Sequence, residues 1–149
     1  MIDFVISPAK ITELKQVLKL LKKVNLPTEG VEEHFKDFIV LKDTTESKFT
    51  IVGCVGLEIY KTYGLLRSLA IEPHLQSQGL GNALTDAILD YARSESLHKV
   101  FLLTTTAEKF FLKKGFMKIK REAFPEEVKK SKEFTTLCPE SAVCMEIFL

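Results

Sequence analysis

The chain has 149 residues, of which 46% are hydrophobic, and its formal net charge is +1. This length is enough for one domain with a real hydrophobic core, and we expect residues 1–149 to form a single domain. Its charges are interspersed, and no Lys/Arg cluster is interleaved with aromatic residues, which argues against a nucleic-acid surface. No signal peptide and no apolar run of membrane-spanning length is apparent, so we expect a cytoplasmic protein without a membrane partner.

Three cysteines, Cys54, Cys138 and Cys144, form an odd set without the spacing of a disulfide framework. Cys54 and Cys144 lie in apolar, strand-like runs, where a thiol packs as a small hydrophobic group. We therefore expect a reducing compartment. No His/Cys/Asp/Glu spacing resembles a zinc site, so no metal is predicted.

The hydrophobic pattern predicts a mixed α/β fold in which strands and helices follow one another. A strand over 2–6 is followed by a helix that begins at Ser7-Pro8 and ends before Pro27. A short helix is predicted next, over 31–38, followed by strands over 38–41, 49–60 and 65–71 and by a helix after residue 79. The second half of the chain is predicted to contain a strand over 99–104, a short helix over 107–114 and a strand over 116–119. A polar loop with one helical turn over 121–133 and a last strand over 142–149 complete the pattern.

Residues 65–83 read as a strand, a glycine-containing turn and the first turn of a helix. The first N–H groups of a helix lack intrahelical partners and carry the positive end of its dipole. Gly79 and Gly81 have no Cβ atoms to keep an anion away from those groups, and Gln76 and Gln78 add uncharged donors. Because no Lys or Arg occurs between Pro73 and Ala92, we expect anion binding through backbone dipoles.

Two other phosphate motifs fit this turn poorly. A nucleoside-triphosphatase loop ends in Gly-Lys-Ser/Thr, whereas Gly81 is followed by Asn82-Ala83. A dinucleotide fingerprint needs a third glycine and an acidic residue on the next strand, and both are lacking. The remaining alternative is a corner whose glycines serve only packing.

Leu69-Ala70-Ile71 followed by Gln76-x-x-Gly79-x-Gly81 resembles motif A of the GNAT (GCN5-related) N-acetyltransferases. The resemblance implies that backbone groups of the strand hold the pantetheine arm and acetyl carbonyl of acetyl-CoA, the co-substrate. It also implies that the turn binds the pyrophosphate. The residues carried over in this way are Leu69, Ala70 and Ile71 for the pantetheine arm and Gln76, Ser77, Gln78, Gly79, Leu80, Gly81, Asn82 and Ala83 for the phosphates.

The resemblance extends over the whole order of elements. It implies a twisted mixed sheet of about seven strands with helices on both faces, splayed between the fourth and fifth strands, here 65–71 and 99–106. Residues 107–116 resemble the family's A-x-x-x-Tyr-x-x-x-Gly-Phe, but the frequent Tyr, an acid for the departing CoA thiolate, is replaced by Phe111. The family's frequent Asn falls on Thr104. Phe111 and Thr104 are still expected to contact the cofactor.

Four segments are similar to a small subgroup of arsenic-resistance N-acetyltransferases. They are LPTEGVEEHF near the start, LLRSLAI, LLTTTAEKFF and LCPESAVCM. A thiol–arsenic site at Cys138 and Cys144 ranks below simple core packing of these two thiols.

Acetyl transfer to an amine needs a base, and Glu58 is the candidate because it lies on the strand before the cofactor strand. The alternative is a sheet-face carboxylate that is solvated or paired with Lys61. Arg67 is the candidate ligand of a substrate carboxylate. Its alternative is a cross-strand pair with Glu58, which would also remove Glu58 as a free base. Ser68 and Thr105 are further candidate substrate contacts.

The predicted function is transfer of an acetyl group from acetyl-CoA to the amine of a small amino-acid-like molecule, by a monomer or homodimer. Two alternatives remain open. One is a non-catalytic acyl-CoA-binding module, which the replacement of Tyr by Phe111 favours. The other is an acetyltransferase that acts on a protein or polyamine amine.

Overall fold

The computed structural model describes residues 3–45, 47–137 and 139–149, except for the side chains at 136 and 137. Its strands form one seven-stranded sheet in the order β1-β2-β3-β4-β5-β7-β6. The strands are β1 (Phe4–Pro8), β2 (Phe38–Asp43), β3 (Thr50–Tyr60), β4 (Tyr63–Ile71), β5 (Lys99–Thr104), β6 (Met117–Ile119) and β7 (Val143–Phe148). The α-helices of the described ranges are α1 (Leu14–Lys23), α2 (Val31–His34), α3 (Leu80–Ser94), α4 (Glu108–Lys113) and α5 (Glu126–Lys129).

Helices pack on both faces of the sheet because the side chains of β2 and β3 alternate between two cores. In β2, Phe38 and Val40 pack with α1 and α2, whereas Ile39 and Leu41 pack with α3. A third, smaller cluster joins Phe124 and Val128 from the α5 region to β4, β5 and β7. The predicted mixed α/β sheet of about seven strands is confirmed.

The sheet divides between β4 and β5, which are its parallel pair. Pairing covers only Tyr63↔Lys99, Gly64↔Val100 and Leu65↔Phe101. Beyond Leu65, β4 pairs only with β3, while β5 continues beside β7 as far as Thr104. The two strands therefore diverge towards their carboxyl ends, which is the predicted splay between the fourth and fifth strands.

A bulge in β4 lies just beyond the point of divergence. Arg67 is opposite Gly56 and Ala70 is opposite Cys54, so that Ser68 and Leu69 share one position of β3. Ser68 has a left-handed backbone, with φ +61°. The Cys54 thiol donates a hydrogen bond to the Ser68 carbonyl at 3.2 Å. A bulge bends its strand, and this one helps to turn β4 away from β5.

Two element boundaries differ from the sequence expectation. Pro8 is the last residue of β1 and not the start of a helix, because an edge strand tolerates a residue without an N–H. The chain then makes a 3-10 turn at Ile11–Glu13 before α1. The polar segment after residue 120 contains more helical structure than one turn, since α5 is followed by a π-helical turn over Glu133–Leu137. Within the ranges described here, no helix has both the length and the apolar character to span a bilayer.

Candidate active site

The turn that precedes α3 has the open surface that an anion needs. Gly79 caps the helix with φ +81°, and a Cβ placed on it would meet no atom within 4 Å. A Cβ on Gly81 would contact only the ring of Phe110, at 3.8 Å. Side chains at these two positions would therefore extend into largely open space, and the phosphate-binding role of the N–H groups at the start of α3 stays a prediction.

The side chains of the turn differ in their contacts and in their burial. Gln76 donates its amide to the carbonyl of Ile71 at 3.1 Å, so it closes the loop from strand to helix and is not simply a free donor. Ser77, with φ +68°, and Gln78 are exposed. Leu80 and Ala83 are half-buried, and Leu80 anchors the first turn of α3 against the core.

A lysine that is paired with an aspartate lies beside this turn, and the expectation of anion binding through backbone dipoles stays a prediction. Lys114, just after α4, donates to the side-chain oxygens of Asn82 and Asp86, each at 2.5 Å. Its side chain is only 14% exposed. Lys114 is 32 residues from Asn82, so nothing in the local sequence of the turn indicates this approach.

The divergence of β4 and β5 opens a cavity of about 310 Å³. Many of the sequence-predicted site residues line it, namely Arg67, Ser68 and Leu69 of β4, Thr104 and Thr105 of β5 and its end, and Phe111 of α4. Ala70 and Ile71 have buried side chains in the two main cores, which leaves only their backbone groups for a ligand. The sequence analysis did not select Asn25, Leu26, Pro27, Glu133 or Pro139, which also line the cavity.

Thr104 and Phe111 shape the side of the cavity formed by β5 and α4. The Thr104 hydroxyl oxygen accepts a hydrogen bond from the N–H of Ala107 at 2.9 Å, so it holds the entry to α4. Phe111 is buried, with its ring edge-to-face against Phe110 and Phe116. Thr105 is exposed at the cavity mouth.

Arg67 and Glu58 form the cross-strand pair that the sequence analysis raised as an alternative. One guanidinium nitrogen of Arg67 lies 2.8 Å from the Glu58 carboxylate, and both side chains are buried. Arg67 also donates to the carbonyl of Glu29 at 2.8 Å and to the Ser68 hydroxyl at 3.1 Å. Its second carboxylate partner is Glu133, at 3.3 Å. In this arrangement the guanidinium contacts protein groups and Glu58 is paired with it, while the roles of Glu58 as base and of Arg67 as substrate ligand stay predictions.

Glu58 has further partners on its other oxygen. The Tyr60 hydroxyl donates to it, and the nearest nitrogen of His34 is 3.7 Å away. Burial raises the pKa of the Glu58 carboxyl, but hydrogen bonds from Tyr60, Ser131 and Arg67 together with the charge of His34 outweigh burial and leave the pKa below its ordinary value. The same contact and burial raise the pKa of the Tyr60 hydroxyl. The alternative partner considered for Glu58, Lys61, instead pairs with Glu127.

Glu58 is expected to make the protein more acid-sensitive. Because its pKa is lower in the folded than in the unfolded chain, its contribution to stability is complete above the ordinary pKa of 4.5 and is lost as the pH falls through the folded value. Glu58→Gln should therefore have a flatter dependence of unfolding free energy on pH below about 4.5 than wild type. Urea unfolding at a series of pH values measures this slope. Equal slopes would show that Glu58 has the same pKa in both states.

Among the described residues, the cysteines do not form a reactive or ligand-binding site. Burial raises the pKa of the Cys54 thiol to about 12, which makes it unreactive. Cys144 is buried in β7. Cys138 lies outside the described residues, so the arsenic hypothesis for this pair is untested. No group of three or more metal-ligating side chains occurs among the described residues.

Comparisons with known proteins agree with this geometry. The model of the acetyltransferase (GNAT) family matches residues 12–116. An uncharacterised N-acetyltransferase of Chlorobaculum tepidum is 29% identical over 80% of this chain and 72% of its own length. An amino-acid acetyltransferase of Mycobacterium tuberculosis is 32% identical over 74% of this chain and 62% of its own length.

Among solved structures, an N-acetylglutamate synthase of Neisseria gonorrhoeae in complex with coenzyme A and N-acetyl-glutamate superimposes with a TM-score of 0.82. The alignment covers 99% of this chain and 35% of that protein, at 21% identity. At 21% identity, this structural similarity is evidence for the fold alone. The match of the family model to most of the chain establishes that the protein belongs to the acetyltransferase (GNAT) family and is an acetyl-CoA-dependent acetyltransferase.

Proposed function

We propose that the protein transfers the acetyl group of acetyl-CoA to the amine of a small amino acid or amino-acid-like molecule. The observation that carries this proposal is the cavity between β4 and β5, whose volume of about 310 Å³ suits a small acceptor beside the end of a pantetheine arm. The amino-acid acetyltransferase from M. tuberculosis, at 32% identity, supports an amino-acid substrate.

The residues present fit acetyl-CoA. The turn from Gln76 to Ala83 would hold the pyrophosphate through helix N–H groups, with the Lys114–Asp86 ion pair beside it. The backbone of Leu69, Ala70 and Ile71 would hold the pantetheine arm along the part of β4 that does not pair with β5. When bound, acetyl-CoA supplies an activated acetyl thioester. Phe111 and Thr104 would border the arm, and Phe111 cannot supply a proton.

The pairing of Arg67 favours a second candidate, an acceptor amine without a carboxylate, such as a polyamine or a protein amine. Arg67 is the basic side chain among the described residues that line the cavity, and it is already paired with the carboxylates of Glu58 and Glu133. An acceptor without a carboxylate does not need that guanidinium. If Arg67 binds a substrate carboxylate, it has to release Glu133 first.

A CoA-release assay separates these candidates. Acetyl-CoA titration by calorimetry is the first measurement, because binding is common to both candidates and to a non-catalytic module. The assay is then run with the standard amino acids, the amines obtained by decarboxylating them, and spermidine. We expect turnover with amino acids. Turnover with spermidine or with the decarboxylated amines alone would support the second candidate, and binding without any turnover would indicate a non-catalytic module.

A further inference from the structure

Glu133 places a carboxylate in the wall of the cavity. It lies at the start of the π-helical turn over Glu133–Leu137, and its N–H donates to the Ser131 hydroxyl at 3.1 Å, which fixes the turn. The Glu133 side chain is 10% exposed. It lines the cavity together with Arg67 and Ser68 of β4 and with Thr104 and Thr105 at the end of β5.

Glu133 differs from Glu58 in its access to the cavity. Among the described residues that line the cavity, Arg67 and Glu133 carry the ionisable side chains, and Glu133 is the acid. Glu58 is 1% exposed and is not part of the lining. Arg67 lies 2.8 Å from Glu58 and 3.3 Å from Glu133, so the buried guanidinium holds the cavity-facing carboxylate in place.

We propose that Glu133 binds the ammonium group of the acceptor and takes a proton from it. This inference rests on the proposed function only in that the acceptor is an amine. One N–H bond of the ammonium breaks and its proton moves to a Glu133 carboxylate oxygen. The freed nitrogen electron pair then forms the bond to the thioester carbonyl carbon, and the carbon–sulfur bond breaks with its electron pair leaving on sulfur. A second proton leaves the nitrogen and is taken up by that sulfur, so the products are the neutral amide and the CoA thiol, and Glu133 releases its proton to solvent. Arg67 is a positioning residue in this step, because its guanidinium lies 3.3 Å from the Glu133 carboxylate.

The test is Glu133→Gln, with Glu126→Gln as its matched control. Glu126 lies on the neighbouring helix α5, is 86% exposed and pairs only with Lys129 among the contacts described. We expect Glu133→Gln to lower kcat/KM for the best acceptor by about 100-fold, because general-base catalysis contributes at least this much. Acetyl-CoA affinity should be unchanged by calorimetry, and Glu126→Gln should match wild type in both measurements.

The pH profile distinguishes a base from a structural residue. Without Glu133, the acceptor has to arrive as the neutral amine, so the rate of Glu133→Gln should rise tenfold per pH unit up to the pKa of that amine. The wild-type rate should reach its plateau at a lower pH. Glu133→Asp keeps the charge and should retain part of the activity that Glu133→Gln loses. If the Gln variant does not fold, the Asp variant takes its place in the test. A Glu133→Gln rate and profile equal to those of wild type would overturn the inference.

The same assay separates failure of the inference from failure of the proposed function. If wild type acetylates spermidine but no amino acid, the amino-acid assignment fails, while Glu133 is still tested with spermidine. If wild type acetylates nothing in the panel and no panel member raises the thermal stability of its acetyl-CoA complex, both the function and the inference are overturned.

Discussion

Arg67→Leu is expected to lower the free energy of unfolding by about 3–5 kcal/mol, because it removes one partner of a buried ion pair. Glu58 would keep its buried position without the guanidinium that lies 2.8 Å from it. The variant also loses the hydrogen bond to the Glu29 carbonyl, which ties the segment after α1 to β4. Urea unfolding measures the loss. This expectation follows the alternative of the sequence analysis in which Arg67 pairs with Glu58, and not the one in which Arg67 binds a substrate carboxylate.

Two controls accompany this variant. Arg93→Leu removes an arginine from an exposed pair with Asp90, and we expect a cost of no more than about 1 kcal/mol. The double variant Glu58→Leu/Arg67→Leu removes both charges, and it should be more stable than the sum of the two single changes predicts. Strict additivity, or a stable Arg67→Leu protein with only a raised acceptor KM, would show that the pair is not structural.

Gly79→Val is expected to weaken acetyl-CoA binding by about ten- to a hundred-fold, the equivalent of roughly 1.5–3 kcal/mol for charge-assisted hydrogen bonds. A side chain at this position would enter the open space in front of the first N–H groups of α3, where no protein atom lies within 4 Å of the Cβ. Calorimetric titration with acetyl-CoA measures the effect. A folded variant with wild-type affinity would place the pyrophosphate elsewhere.

Backbone strain has to be separated from this loss of affinity, since Gly79 has φ +81° and a branched residue is disfavoured there. Gly115→Val is the matched control. Gly115 also has a positive φ, of +102°, but its Cβ would face Ile147 of β7 at 3.4 Å. Both variants should lose stability, and only Gly79→Val should lose acetyl-CoA affinity. Gly81→Val adds a case without positive φ, and its Cβ would contact only the Phe110 ring.

The mixed α/β order and the glycine turn before α3 could be predicted from local sequence patterns, and the splay of the sheet followed from the resemblance to the GNAT family. Nearly continuous apolar runs in β2 and β3 predict strands that are buried on both faces, and helical spacing after Gly79 predicts α3. The glycines of the turn leave open space by lacking side chains, and the anion site that we predict there is a local feature. The bulge at Ser68 was not predicted, because a left-handed serine leaves no signal in the sequence.

The tertiary structure decided which charges meet. Arg67 contacts Glu58, which lies nine residues earlier on the adjacent strand β3, and the Glu29 carbonyl, which lies 38 residues earlier in a loop. The register of β3 with β4 decides the first contact, and the packing of the segment between α1 and α2 decides the second. The contacts of Lys114 with Asn82 and of Glu133 with Arg67 also join residues that are far apart in the sequence. The sequence by itself therefore determined the turn and helix start at which we predict phosphate binding, since such a turn needs only local structure, whereas the charges around the cavity depend on side chains brought together by sheet register and loop packing.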